Sequence, residues 1–110
     1  MSDALTRGDF VYVDFDPQAG HEQSGHRPAI VLSPKNFNEV TGFAVVCPIT
    51  KHIKGYPFEV SLSDDSIFHG CILTDQVKSL DWRARKLKVK GQAPVEVVNE
   101  CLDKIKTFLT

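Results

Sequence analysis

The chain has 110 residues, 42% of them hydrophobic and 25% charged, with a formal net charge of −1. That size and balance describe one soluble globular domain over residues 1–110, and the total charge at first argues against a nucleic-acid partner. No apolar run approaches a membrane span and the opening Met1-Ser2-Asp3-Ala4 has no signal-peptide character, so a cytoplasmic protein is expected.

Phe10 to Phe15 alternates, with Val11, Val13 and Phe15 on one face, which predicts a strand ended by Asp16-Pro17. Residues 16 to 27 form a polar loop containing Gly20 and Gly25. Ala29 to Leu32 is a short apolar run closed by Ser33-Pro34, the pattern of a strand buried on both faces. Lys35 to Gly42, with Asn36, Asn38 and Thr41, reads as a loop with room for one helical turn. Phe43 to Ile49 is again apolar, and Pro48 implies an edge or a bulge near its end. Phe58, Val60 and Leu62 alternate onto one face, and Ser63 to Asp65 carries turn chemistry.

Cys71 to Leu73 predicts a strand that Val77 to Leu80 continues after a kink. Leu87 and Val89, set between lysines, predict a half-buried strand ending at Gly91. Pro94 then suits the first turn of a helix. Val95, Val98, Leu102, Ile105 and Leu109 recur at three- and four-residue spacing against a polar opposite side. They predict an amphipathic helix covering a small sheet or the mouth of a barrel. The expected architecture is mostly β, a small barrel with a C-terminal α-helix.

Several chemistries find no support. Cys47, Cys71 and Cys101 match no zinc or redox spacing and read as buried free thiols. His21-Glu22 and His26 are one residue out of step with H-E-x-x-H, and Gly25 disfavours the helix such a zinc site needs. No Walker-type loop, nucleophile elbow or dinucleotide fingerprint is present, and His52 and His69 stand alone on presumed loops. No metal or organic cofactor is implied.

Charge is unevenly spread. From Lys78 to Lys90 six basic residues, Arg83 and Arg85 among them, face the single acid Asp81, a local charge of +5 around Trp82. Such a stripe can follow a phosphodiester backbone and offer a stacking surface, or it can be a solvated edge strand protected by lysine. A second set is directed at phosphate: Glu22, His26 and Arg27 on the first loop, then Thr50, Lys51 and Lys54 after the Phe43 strand. RNA can be cut by its own 2′-hydroxyl when protons move at the attacking and leaving oxygens and donors stabilise the phosphoryl charge. Arg27 would supply charge and bidentate geometry and Thr50 a hydrogen bond. The plain alternative pairs Arg27 with Asp14, Asp16 or Glu22 and merely fixes the loop.

Four blocks carry a resemblance. G-D-F-V-Y-V-D-F-D-P (Gly8 to Pro17), E-Q-S-G-H-R-P-A-I-V-L-S-P (Glu22 to Pro34), K-G-Y-P-F-E-V (Lys54 to Val60) and D-Q-V-K-S-L-D-W-R-A-R (Asp75 to Arg85) resemble the MazF/PemK family of toxins, the MazF branch most. The resemblance implies an SH3-like barrel of the MazF, PemK and CcdB type acting as a homodimer. It implies a sequence-specific endoribonuclease, or mRNA interferase, that cuts single-stranded RNA without metal and leaves a 2′,3′-cyclic phosphate and a 5′-hydroxyl. It implies an antitoxin partner that lays an extended acidic segment across the dimer. By the same resemblance Arg27 is the central catalytic group, Thr50 its partner at the phosphate and Glu22 a carboxylate important for activity. Gln23, His26, Lys54, Lys78, Trp82, Arg83 and Arg85 fall to RNA-binding or dimer-facing surfaces. A guanidinium rarely yields its proton, so Arg27 is assigned to charge stabilisation, and the base stays open between Glu22, His26 and a water. The 35–42 and 51–53 loops are expected to shape the recognised motif, a short site containing A-C-A. Two rivals remain at this stage: a non-enzymatic DNA-gyrase poison of the same fold, and a barrel that binds RNA without cutting it.

Overall fold

The structure is a computed structural model, and it describes residues 3–16 and 19–110. Pro17, expected to end the first strand, lies outside the described residues. Strands β1 (Asp9–Asp14), β2 (His26–Val31) and β3 (Phe43–Thr50) form an antiparallel meander, with helix α1 (Lys35–Thr41) in the β2–β3 connection. β4 (Glu59–Ser61), β5 (Cys71–Leu73), β6 (Lys78–Asp81) and the two-residue β7 (Gly91–Gln92) complete the sheet. Its order is β4-β5-β3-β2-β1-β7, with β6 also paired to β3. A 3-10 turn, Thr74–Gln76, separates β5 from β6 and is the expected kink. Helix α2, Val95–Leu109, closes the chain. The patterning implied a small, mostly β barrel with a C-terminal helix, and the structure is a mostly β half-barrel sheet with that helix.

The sheet is apolar on both faces. Val11, Val13, Ala29, Val31, Ala44 and Val46 project to one side, where Leu5, Phe15, Leu80 and Trp82 fill the barrel interior. Phe10, Ile30, Leu32, Cys47, Ile49 and Ile72 project to the other, where Val98 and Cys101 of α2 cover them. Strand β2 therefore alternates between two cores, as its unbroken apolar run predicted. Each fully buried Val or Ile contributes roughly 1.5–3 kcal/mol relative to exposure. The buried stripe of α2 is narrower than its spacing suggested. Val98 and Cys101 are buried and Val97, Leu102 and Ile105 half-buried, whereas Val95 and Leu109 at the two ends are 65% and 64% exposed.

Pro48 is a correction with a clear cause. β3 is the central strand and not an edge, yet Pro48 sits in the gap between its two partners on one side. Phe43 to Val46 pairs with β6, and Ile49 to Thr50 pairs with β5, so the ring falls where no strand on that side requires its missing N–H. The strand expected around Leu87 and Val89 is absent. Residues 82–86 instead form a turn that closes with Lys86 at φ 56 and a Leu87 N–H bond to the Trp82 carbonyl at 3.0 Å. Only the Lys90 N–H, at 2.7 Å from the Phe10 carbonyl, brings the chain back to β1. The 35–42 segment is a two-turn helix ended by Gly42 at φ 73, and its Asn38 is fully buried. Asn38 Nδ2 donates to the carbonyls of Leu5 and Ser33 while its own carbonyl accepts the Trp82 Nε1–H at 2.8 Å. Its role is to tie α1 to the barrel.

The three thiols are free and buried, as expected. Burial pushes Cys101 up to about 12 and Cys71 to about 11, and Cys47 is raised further, so all three stay protonated and inert at neutral pH.

Candidate active site

The β1–β2 loop is held by its own polar groups. The Phe15 N–H meets the Gly25 carbonyl at 2.9 Å, and the Gly25 N–H meets Asp16 Oδ1 at 2.9 Å, which closes the hairpin at the start of β2. Gly25 lies at φ 78, a conformation that L side chains resist. Glu22 Oε1 accepts the Ala19 N–H at 3.0 Å, so the carboxylate caps a turn of its own loop. Farther in, the Gln23 N–H donates to Gln76 Oε1 at 2.8 Å and fastens the loop to the 3-10 turn.

Arg27 emerges at the beginning of β2 with Nε bonded to the Ser24 carbonyl at 2.9 Å. The acids that could have neutralised it are engaged elsewhere: Asp14 accepts from Asp16 N–H, Asp16 from Gly25 N–H and Glu22 from Ala19 N–H. Among the described residues no carboxylate pairs with Arg27, so its terminal nitrogens remain available to a ligand.

Thr50 ends β3. Its side chain is 5% exposed, and Oγ1 accepts the His52 N–H at 3.1 Å, leaving the O–H to donate outward. Its backbone is pressed by Gly70, at φ +109, where an added Cβ would stand 2.0 Å from the Thr50 carbonyl oxygen. Only glycine permits that approach. Gly70 carried no motif in the sequence, and only the pairing of β3 with β5 beside it reveals its purpose.

Arg27 and Thr50 line one open cleft of about 740 Å³, together with Gln23, His26, Lys51 and His52. Tyr12, Phe68 and His69 complete much of its wall, and no Asp or Glu takes part. Toward β4 a second cleft of about 390 Å³ shares Gln23, Thr50 and His52 with the first and adds Lys54, Tyr56 and Asp75. The Lys54 loop is shaped by Glu59, whose carboxylate collects the N–H groups of Lys54, Gly55 and Tyr56 at 3.1–3.3 Å. The negative charge of Asp75 pushes the Tyr56 phenol above its ordinary range. On the other side a third cleft shares Tyr12 and His26 with the first and is walled by Arg85, Lys86, Lys88 and Lys90.

Arg27, Thr50, Gln23 and His26 are thus brought together, with Lys54 and Arg85 in the flanking clefts. Glu22 lines none of the three. The stripe from Lys78 to Lys90 is divided. Lys78 Nζ lies 5.9 Å from the Phe15 ring centroid, and Arg83 packs over the Trp82 ring at 5.1 Å while donating to the Glu39 carbonyl at 2.6 Å. Trp82 is 7% exposed, packed in the barrel core and lining a cleft with Arg83, Lys86 and Lys88. An indole buries large apolar area, and its N–H donates to the Asn38 carbonyl at 2.8 Å. His52, His69, Tyr12 and Asp75 join the clefts without any spacing that marked them in sequence. Among the described residues no cluster of His, Cys, Asp and Glu is arranged to hold a metal ion.

Residues 6–109 match the family described as PemK-like, MazF-like toxins of type II toxin–antitoxin systems. The chain belongs to that family. Over 91 residues it is 54% identical to the endoribonuclease toxin MazF of Escherichia coli K12, covering 82% of this chain and 81% of that protein. It is 37% identical over 110 residues to the endoribonuclease PemK of Escherichia coli, covering 96% of this chain and 83% of PemK. Among solved structures, MazF from Deinococcus radiodurans superposes with a TM-score of 0.89 at 45% identity over 96% of each chain. A MazE–MazF complex from the same organism superposes at 0.84 and 42% identity, again over 96% of each chain. With this kinship the endoribonuclease class expected from the four sequence blocks holds, and no helix among the described residues is long and apolar enough to cross a membrane.

Proposed function

We propose that this endoribonuclease toxin cuts single-stranded RNA at a short sequence motif without a metal ion, and so inhibits translation and growth until a MazE-like antitoxin neutralises it. One observation carries the reading: the cleft holding Arg27 and Thr50 and its basic neighbour are lined by Arg27, Lys51, Arg85, Lys86, Lys88 and Lys90 and by no carboxylate, in a chain of net charge −1. Cation-lined, acid-free walls of that kind concentrate a polyanion such as a phosphodiester chain.

The chemistry needs only the RNA and these side chains. The 2′-oxygen attacks the adjacent phosphorus as its proton passes to a base, and the bond from phosphorus to the 5′-oxygen breaks as that oxygen gains a proton. A 2′,3′-cyclic phosphate and a 5′-hydroxyl result. Arg27 and the Thr50 O–H stabilise the charge that gathers on the phosphoryl oxygens. Glu22, committed to its own loop, holds the Gln23–Arg27 segment in place, and proton transfer falls to the cleft imidazoles, His26 first, or to water. Gln23 and Lys54 bind the strand on the β4 side. The protein acts in the cytoplasm as a homodimer, and the extended acidic segment of its antitoxin competes for the same basic clefts.

The test is incubation of the purified protein with a long defined single-stranded RNA in EDTA, followed by mapping of the cuts and their ends. Discrete cuts at one recurring motif, with cyclic-phosphate and 5′-hydroxyl ends, are expected. Intact RNA from folded, antitoxin-free protein would refute the reading.

A further inference from the structure

A series of aromatic rings runs from the core to the wall of the cleft. Phe10, 1% exposed, meets Phe68 edge-on with centroids 5.3 Å apart and planes at 88°. Phe68 meets Tyr12 in the same way, at 5.3 Å and 85°. Tyr12 then lies parallel to His26, at 5.1 Å and 10°. The last two rings come from neighbouring strands in diagonal register, Tyr12 facing Pro28 and His26 facing Asp14 across the β1–β2 pair, so they share one face. Arg27 belongs to the opposite face by strand alternation and reaches the same cleft at the very start of β2.

The pair stands at a junction. Tyr12 and His26 line both the Arg27–Thr50 cleft and the basic cleft beyond it. Tyr12 is 38% exposed and His26 is exposed, so the outer end of the stack is bare although its inner end is anchored in the core. A flat π surface, rigidly backed and set between a phosphate-binding pair and a row of cations, suits a nucleobase whose own phosphates lie on either side.

We propose that Tyr12 and His26 form a stacking platform for one nucleobase beside the scissile phosphate. The base lies on the outward face of His26 and extends the stack. Tyr12 and Phe68 are positioning residues that hold the imidazole plane, whereas His26 touches the RNA. This rests on the ribonuclease reading and adds to it the mode of base binding and the residues that support it.

The experiment uses oligoribonucleotides spanning the mapped cut site, made uncleavable by a 2′-deoxy sugar at the attacking position and carrying 2-aminopurine at one flanking position at a time. Stacking on the platform quenches the fluorophore, so wild-type protein should quench one position strongly. His26→Ala and Tyr12→Leu should abolish that quench, and Tyr12→Phe should restore it. On cleavable RNA, Tyr12→Leu should raise KM about tenfold with kcat within about threefold of wild type, as expected for a lost stacking contact. Circular dichroism establishes that each variant is folded, and an unfolded Tyr12→Leu is replaced by His26→Ala in the quenching comparison alone, because the same imidazole is the first choice for proton transfer in the cleavage reaction. Wild-type cleavage with quenching unaltered in the folded variants, or with no flanking position quenched, would overturn the platform alone. Absence of cleavage by the wild type would instead overturn the ribonuclease reading beneath it.

Discussion

The β1–β2 loop and the segment from Lys78 to Lys90 looked alike in sequence, each a polar, charge-bearing stretch interrupted by aromatic or imidazole rings. In the fold they diverge. The loop spends its carboxylates on its own backbone and leaves Arg27 unpaired in a cleft. The later segment sends Trp82 into the core and lays Arg83 over it, and only its far portion, from Arg85 to Lys90, reaches the wall shared with His26. The lesson is that a motif's charge says less than the bonding of its neighbours. A cation is available to a ligand when the acids around it are already satisfied, and an aromatic is available only when the core does not need it.

Substitutions can break that comparison. Trp82→Ala should have the largest effect, lowering stability by about 3–5 kcal/mol through the cavity it leaves and the Asn38 carbonyl it deprives of a donor. Urea unfolding followed by circular dichroism measures this, since the only tryptophan is lost. Residual folded protein should cut RNA normally, and a stable variant with weakened RNA binding would restore Trp82 to the interface. Arg27→Ala should show the reverse: cleavage down about 100- to 1,000-fold with the urea midpoint unchanged. Normal turnover in that variant would remove Arg27 from the chemistry.

Gly70→Ala tests the scaffold between the two regions. The new methyl meets the Thr50 carbonyl oxygen at a positive φ, so a loss of about 3 kcal/mol is expected together with slower cleavage, as Thr50 is displaced. Wild-type stability there would show that β3 and β5 separate easily. The smallest effect belongs to Arg85→Ala, a few-fold weaker RNA binding whose slope against log salt falls by about 0.7. Lys78→Ala, at a residue that lines none of the three clefts, should leave that slope where it was. Equal effects at both positions would mean that the whole stripe follows the RNA.

Much of the fold was legible because local patterns carry it. Two-residue alternation marked β1, the unbroken run Ala29 to Leu32 announced a strand between two cores, and the Val95–Val98–Leu102–Ile105–Leu109 spacing marked α2. The failures share one cause. Leu87 and Val89 alternate like a strand but find no partner along their length, because the turn closing at Lys86 carries them away from β1 until Lys90. Pro48 read as marking an edge or a bulge because the handover of β3 from β6 to β5 is a property of three strands at once.

The sequence by itself determined the chemical groups, the two-faced strands, the capping helix and the family, for these follow from local periodicity and from blocks of residues in fixed order. Tertiary structure alone decided which groups meet. Arg27 and Thr50 are 23 positions apart in the chain, and they share a cleft because β2 and β3 are paired and Gly70 lets a third segment press against them. The same packing places Trp82 in the core and Glu22 off the three clefts, and it brings Tyr12, His52 and Phe68 into their walls. Long-range pairing sets such distances through the summed burial of a whole sheet, and no short window of residues contains that sum.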